Sequence, residues 1–130
     1  MPAPLGKVPT KKMPNIQVFG LEDSNATRGA LRFFRERRIV VHYVDLRKKP
    51  IAPGELRRFT DRLGPAACLD TESRGYKEQG LAYLSTDAAG ITARLLADVR
   101  LLRLPLVRYG DEVSAGKAEE TWKAWLARAK

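Results

Sequence analysis

The chain contains one cysteine and one histidine in 130 residues, and these two scarcities exclude more chemistry than any motif supports. A single Cys68 rules out an intramolecular disulfide and a cysteine-rich metal site. A single His42 rules out two-histidine metal motifs and leaves a Ser-His-Asp triad without support. His42 falls in Ile39-Val-Val-His-Tyr-Val44, which reads as a strand, so it is expected at a sheet surface or edge. No metal site is expected. Long hydrophobic runs are missing too: nothing approaches the ~20 apolar residues that cross a bilayer, so no membrane partner is expected. The first twelve residues lack an apolar h-region, so a secretory leader is not expected and a cytoplasmic location is.

Acidic side chains are in the minority, 15 against 24 lysines and arginines, for a net charge of +9. That balance favours anionic partners, nucleic acid among them, without specifying one. The basic residues are spread along helices rather than gathered in one tract, and a solvated face accounts for most of them. Arg35, Arg37 and Arg38 close the first expected helix, where cations complement the negative end of its dipole. At 44% hydrophobic and 30% charged residues, the composition suits one globular domain with a single core. Residues 1–14, with four prolines and Lys7, Lys11 and Lys12, read as a flexible basic extension. Residues 15–130 read as the domain.

The organising stretch is Ile16 to Arg28. It reads as a buried strand over 16–20, a tight loop, and a helix over 25–38 whose apolar face is Ala26, Ala30, Phe33 and Phe34. A strand feeding a helix in this way aims unpaired backbone amides and the positive dipole end at one point, which suits an anion. Ser24 is placed to cap the helix. Strand two runs from Ile39 to Asp45, rich in β-branched residues. Pro53 opens a second helix that Gly64-Pro65 stops near Leu63. A short helix follows near 75–80, then a longer one from Asp87 to about Arg100 on an Ile91, Leu95, Leu96, Val99 pattern. Leu104 to Tyr109 reads as a strand entered through Pro105. Gly110-Asp111 turns it into a returning strand over 112–115. The last helix covers about 117–129, with Trp122, Trp125, Leu126 and Ala129 toward the core. The order is β-α-β, a helical insertion, then β-β-α: an α/β, thioredoxin-like (glutaredoxin-like) sandwich.

Several segments together resemble the arsenate reductase family that uses glutaredoxin as reductant, including its transcription-regulator branch. Phe19-Gly20 followed by Ser24-Asn25-Ala26-Thr27-Arg28 is similar to the family's aromatic-Gly and Cys-Ser-x-Ser-Arg. Asp45 to Ile51 with Glu55-Leu56, Tyr76 to Leu81, Leu104-Pro105-Leu106-Val107, and Gly116, Glu120 and Trp122 follow in family order, so the likeness spans about 16–126. It implies a thioredoxin-like fold and a cis Pro105. The catalytic pattern departs from the family's. Its nucleophilic cysteine aligns with Ser24, and its arginine before the proline aligns with Leu104, Arg103 being one residue earlier. A further family arginine aligns near Ala66. Arg28 is retained.

A serine hydroxyl does not ionise at neutral pH and cannot replace a thiolate, so ordinary arsenate reduction is not expected. Two function classes follow. In the first, the chain is a non-catalytic binding or regulatory member, its anion or protein partner held by Ser24, Asn25, Thr27, Arg28, Arg103 and Pro105. The likeness to regulators that bind RNA polymerase makes such a partner part of this class, and Asp23 beside the site favours a protein over a tightly held small anion. In the second, it is a reductase-like enzyme drawing its thiol from Cys68 or an external donor, glutathione being the one cofactor in view. Cys68 lies in Pro65-Ala-Ala-Cys-Leu69, an apolar setting in which a small buried hydrophobe is the simpler reading.

Overall fold

The computed structural model describes residues 16–80 and 87–128. The extension over 1–14, and Leu81 and Ala129 of the expected segments, lie outside the described residues. β1 (Ile16–Gly20), α1 (Asn25–Glu36) and β2 (Val41–Asp45) form a parallel unit, Ile16 facing Val41 and Gly20 facing Asp45. α2 (Pro53–Leu63), a 3₁₀ turn at Pro65–Cys68, α3 (Arg74–Glu78), α4 (Ala88–Ala97) and a 3₁₀ turn at Val99–Leu101 make the insertion. β3 (Leu106–Tyr109), β4 (Glu112–Ala115) and α5 (Glu119–Arg128) complete the chain. β3 pairs antiparallel with β1 and with β4, giving the sheet order β2-β1-β3-β4.

Side-chain alternation along the two central strands divides the core between the two sheet faces. Ile16 and Val18 of β1 and Val107 of β3 pack with Ala30, Phe33 and Phe34 of α1 and Trp122 and Trp125 of α5. Phe33, Phe34 and Trp122 stack on one another with ring centroids 5.1 to 5.3 Å apart. The Trp122 indole N–H donates to Ser114 Oγ at 2.9 Å, which satisfies both buried groups. On the opposite face, Phe19 and Leu106 meet Leu56 and Phe59 of α2, Leu95 of α4, and Cys68, Leu101 and Leu102. α1 and α5 therefore cover one face, and α2 and α4 the other.

Four boundaries differ from the sequence reading, each through hydrogen bonding at a helix end or a strand entry. α1 stops at Glu36 because the amides of Arg37 and Ile39 both turn back to the Phe34 carbonyl, with Arg38 in the left-handed region at φ 60°. Ile39 is thereby spent on the cap, and β2 begins at Val41. α4 ends at Ala97 because the Asp98 carboxylate accepts the Arg100 amide at 2.9 Å, drawing the chain into a 3₁₀ turn. This leaves Leu96 partly exposed rather than in the core. β3 starts after the cis Leu104–Pro105 bond. On α1, Thr27 takes the fully buried place expected of Ala26. His42 is exposed on the edge strand β2, where the sequence put it.

The β1–α1 junction depends on a residue without a side chain. A Cβ on Gly20 would come within 2.4 Å of Thr27 Oγ1 and 2.6 Å of Thr27 Cγ2. Gly20→Ala is expected to lower stability by about 1–3 kcal/mol through overpacking. Thr27→Ala in the same chain should recover part of that loss, read as a coupling energy in a urea-denaturation double-mutant cycle.

Candidate functional site: a cleft at the start of helix α1

Ser24 has extended backbone angles (φ −84°, ψ 119°), and its Oγ accepts the Thr27 amide at 3.1 Å. Its carbonyl accepts the Arg28 amide at 3.0 Å, and its own amide donates to Leu21 O at 3.0 Å. These bonds leave the Asn25 and Ala26 amides without an intrahelical acceptor. The loop is brought beside the C-terminal end of β2 by the parallel register and by the Leu46 amide, which donates to Gly20 O at 2.9 Å.

A cleft of about 700 Å³ opens here, with Leu21, Asp23 and Ser24 on one wall. Arg47 enters from the loop after β2, Ser73 and Arg74 from the start of α3, and Val99 and Arg100 from the second 3₁₀ turn. Gly75 lets α3 close on that turn: its Cβ would lie 3.3 Å from Arg100 Cβ and 3.4 Å from Leu101 Cδ2. Three guanidiniums thus face one carboxylate across the cleft.

The three are not equivalent. Arg47 donates to Asp23 Oδ2 at 2.9 Å, and this bond holds the Asp23 carboxyl below its usual range. Arg100 is held by Asp98 at 3.0 Å and Glu78 at 3.2 Å, and its hydrogen bonds lower the Asp98 pKa. Arg74 is exposed and has no acidic partner among the described residues. Neither histidine nor cysteine lines the cleft. Its lining combines amides, a serine hydroxyl, guanidiniums and the Asp23 carboxylate, without a thiol or an imidazole.

Of the residues singled out from sequence, Ser24 and the neighbouring Asp23 line this cleft. Asn25 accepts a hydrogen bond from Arg28, whose other guanidinium nitrogen donates to Glu22 O at 2.7 Å, so this pair braces the outside of the loop. Thr27 is fully buried against Gly20. Arg103 donates its amide to Cys68 O at 2.8 Å and its guanidinium to Leu69 O at 3.1 Å. Pro105 is buried, its carbonyl accepting the Gly116 amide at 2.9 Å. The family arginine expected near Ala66 has no counterpart there, and Arg74, eight residues on, lines the cleft. Arg47, Ser73, Arg74 and Arg100 were missed. Arg47 was within reach of sequence reasoning, because parallel pairing of β1 and β2 sets the two loops side by side; Arg100 was hidden inside an expected helix.

Cys68 is fully buried among Phe59, Leu95, Leu101 and Leu102. Burial pushes its pKa up to about 11, outweighing the smaller lowering by Arg103. The thiol is therefore protonated at neutral pH and lies in the core rather than in the cleft.

A mixed four-stranded sheet between α1 and α5 on one side and α2 and α4 on the other is the thioredoxin-like fold, and solved structures agree. The YffB protein superposes with a TM-score of 0.80 at 17% identity, covering 86% of this chain and 99% of its own. An arsenate reductase from Vibrio cholerae gives 0.73 at 17% identity, covering 84% and 95%. An arsenate reductase (ArsC) related protein from Brucella melitensis gives 0.66 at 15% identity, covering 85% and 93%. The likeness is one of fold. No protein-family model matches the sequence, and neither does any curated protein.

The raised Cys68 pKa has a pH signature. Between pH 9 and about 11 the unfolded thiol ionises while the folded one stays protonated, so the fold loses stability as pH rises through that window. Cys68→Ala is expected to flatten this part of the stability-versus-pH curve, measured by urea denaturation at stepped pH.

Proposed function

We propose that this protein is an arsenate-reductase-like thioredoxin-fold member that binds rather than reduces, using the cleft at the start of α1 to hold a carboxylate presented by a protein partner. The observation that carries the reading is Ser24 at the helix cap, facing Arg74 in a cleft without a thiol. Reduction of an oxyanion needs a thiolate to form a bond to the central atom and a second thiol to release it. Ser24 supplies neither, and the one thiol of the chain is a core side chain.

A carboxylate fits better than a fully charged oxyanion because Asp23 and Asp98 already occupy two of the three guanidiniums. One free guanidinium and two helix amides match a single carboxylate in a bidentate geometry. An RNA-polymerase-like partner falls within this reading, as does a cytoplasmic location. No helix among the described residues is long and apolar enough to cross a membrane.

Two measurements test the proposal. In a glutathione- and glutaredoxin-coupled arsenate assay, the native chain is expected to show no turnover; turnover would overturn the binding reading. In a titration with a glutamate-rich peptide followed by amide NMR, Ser24, Asn25 and Ala26 should shift. Arg74→Ala should weaken that binding by roughly 10-fold or more, as loss of a charge-assisted pair does. Absence of any shift at these amides would equally overturn it. A Ser24→Cys chain assayed in parallel reports how much of an oxyanion site persists around the one missing sulfur.

A further inference from the structure

The solvent face of α1 carries a second basic surface, independent of the cleft. Arg28, Arg32 and Arg35 are all exposed and follow one another at spacings of four and three residues. At 3.6 residues per turn, those spacings put the three within an arc of ~60°, directly opposite the buried Thr27, Ala30, Phe33 and Phe34. Arg38, also exposed, follows just beyond the helix end. None of the four pairs with an acidic side chain among the described residues, although Arg47, Arg58, Arg100, Arg108 and Arg128 all do. Arg28 makes its hydrogen bonds to neutral oxygens, and its charge reaches the Asp23 carboxyl only as the smallest of the influences on that group. Glu36, the one carboxylate on the helix, forms no ion pair among the described residues.

Helix stability accounts for part of this row, since Arg35 in the last turn complements the helix dipole, but not for the rest. Arg28 sits in the first turn, where the dipole disfavours a cation, and that turn holds no acidic residue. Arg28 with Arg32, and Arg32 with Arg35, are like-charge pairs at spacings that destabilise a helix. Arg38 occupies the left-handed position that glycine fills at lower cost. The departures from local preference at Arg28, Arg32 and Arg38 point to an external ligand that favours them.

We propose that the Arg28–Arg32–Arg35 face of α1, with Arg38 beyond its end, binds the sugar–phosphate backbone of nucleic acid without sequence preference. Side chains on such a row stand ~5–6 Å apart, a spacing that lets successive guanidiniums take separate phosphates along a strand. Arginine's planar fork suits bidentate phosphate contact. The row contains no aromatic side chain to stack bases and no apolar anchor. Among the described residues the exposed large hydrophobics are Val40 and Leu96, both outside α1. A protein interface would need such an anchor at its centre, whereas a phosphate-reading surface needs only the charge. The net charge of +9 adds long-range attraction.

The test is fluorescence anisotropy of labelled random-sequence duplex DNA and single-stranded RNA, titrated with the full chain at several salt concentrations. With three phosphates neutralised, log K should fall against log salt with a slope of about −2.7 on DNA, roughly 40-fold between about 50 and 200 mM. Arg32→Gln/Arg35→Gln/Arg38→Gln should reduce that slope by about 1 per arginine lost. It should leave thermal stability unchanged or raised, since like-charge repulsion is removed. Arg57→Gln/Arg62→Gln, on α2 behind the other sheet face, should bind as the native chain does. Loss of binding in the triple variant on either nucleic acid supports the proposal, and the stronger of the two identifies the source. It is overturned by absence of binding at the lowest salt, by a triple variant that binds like the native chain, or by polyglutamate competing as well as DNA, which would mark an acidic protein surface.

Discussion

The contact between Gly20 and Thr27 governs the geometry of everything downstream of β1. Thr27 is a fully buried polar residue whose methyl and hydroxyl occupy the space a side chain on Gly20 would take. Because β1 ends without a Cβ, the first turn of α1 rests against the strand and the loop between them stays tight. A tight loop is what points the Asn25 and Ala26 amides away from the sheet and sets Ser24 as the cap. Moving α1 outward by the width of a methyl group would shift the amides and also loosen the Phe33–Phe34–Trp122 stack behind them. Site geometry and core packing therefore share one constraint.

The rest of the sheet transmits that constraint. Gln17 on β1 accepts from Arg108 on β3 at 2.9 Å, and Arg108 also reaches Glu55 on α2 at 3.5 Å. This partly buried polar group lies beside an otherwise apolar core and ties α2 to the central strands. It offers a hydrogen-bond pattern that a slipped register would break. At the other end of the insertion, the amide of Asp70 donates to Leu101 O and that of Arg103 to Cys68 O, at 2.8 Å each. The insertion is thus sewn to the segment entering β3, and α3 is held where Arg74 can face Ser24. Arg103, expected at the site, serves here by fixing the backbone around Cys68 and Leu69.

What sequence made legible divides along the same line. Strand positions, α2 and the hairpin at Gly110-Asp111 were readable because each is set by local patterning and turn chemistry. The end of α1 was not, since its closing residue is Arg38 rather than the glycine or asparagine that marks such a cap. The break after α4 was hidden because Asp98 redirects the chain through its own side chain, and Asp alone within a helical pattern is ambiguous. Ser24 was legible as a cap followed by an amphipathic run. Arg74 and Arg100 were not, because their approach to Ser24 depends on the docking of α3 against the turn at Val99–Leu101, a contact between segments about 25 residues apart.

The distribution of ion pairs separates the two basic surfaces by physics rather than by residue type. In the cleft, Arg47 and Arg100 are neutralised by Asp23, Asp98 and Glu78, leaving Arg74 as the available charge. Short-range geometry, amides and one guanidinium must then dominate recognition there, and salt should matter modestly. Along α1 the arginines form no ion pair among the described residues, and attraction of an anion there would be long-range and additive, so salt should matter steeply. A ligand at the cleft would be selected by shape around one carboxylate, and a ligand along α1 by charge density. The cleft lies at the start of α1 and the arginine row along its solvent face, with Ala30, Phe33 and Phe34 committed to the core, so the two surfaces meet only at Arg28, which braces the cleft loop.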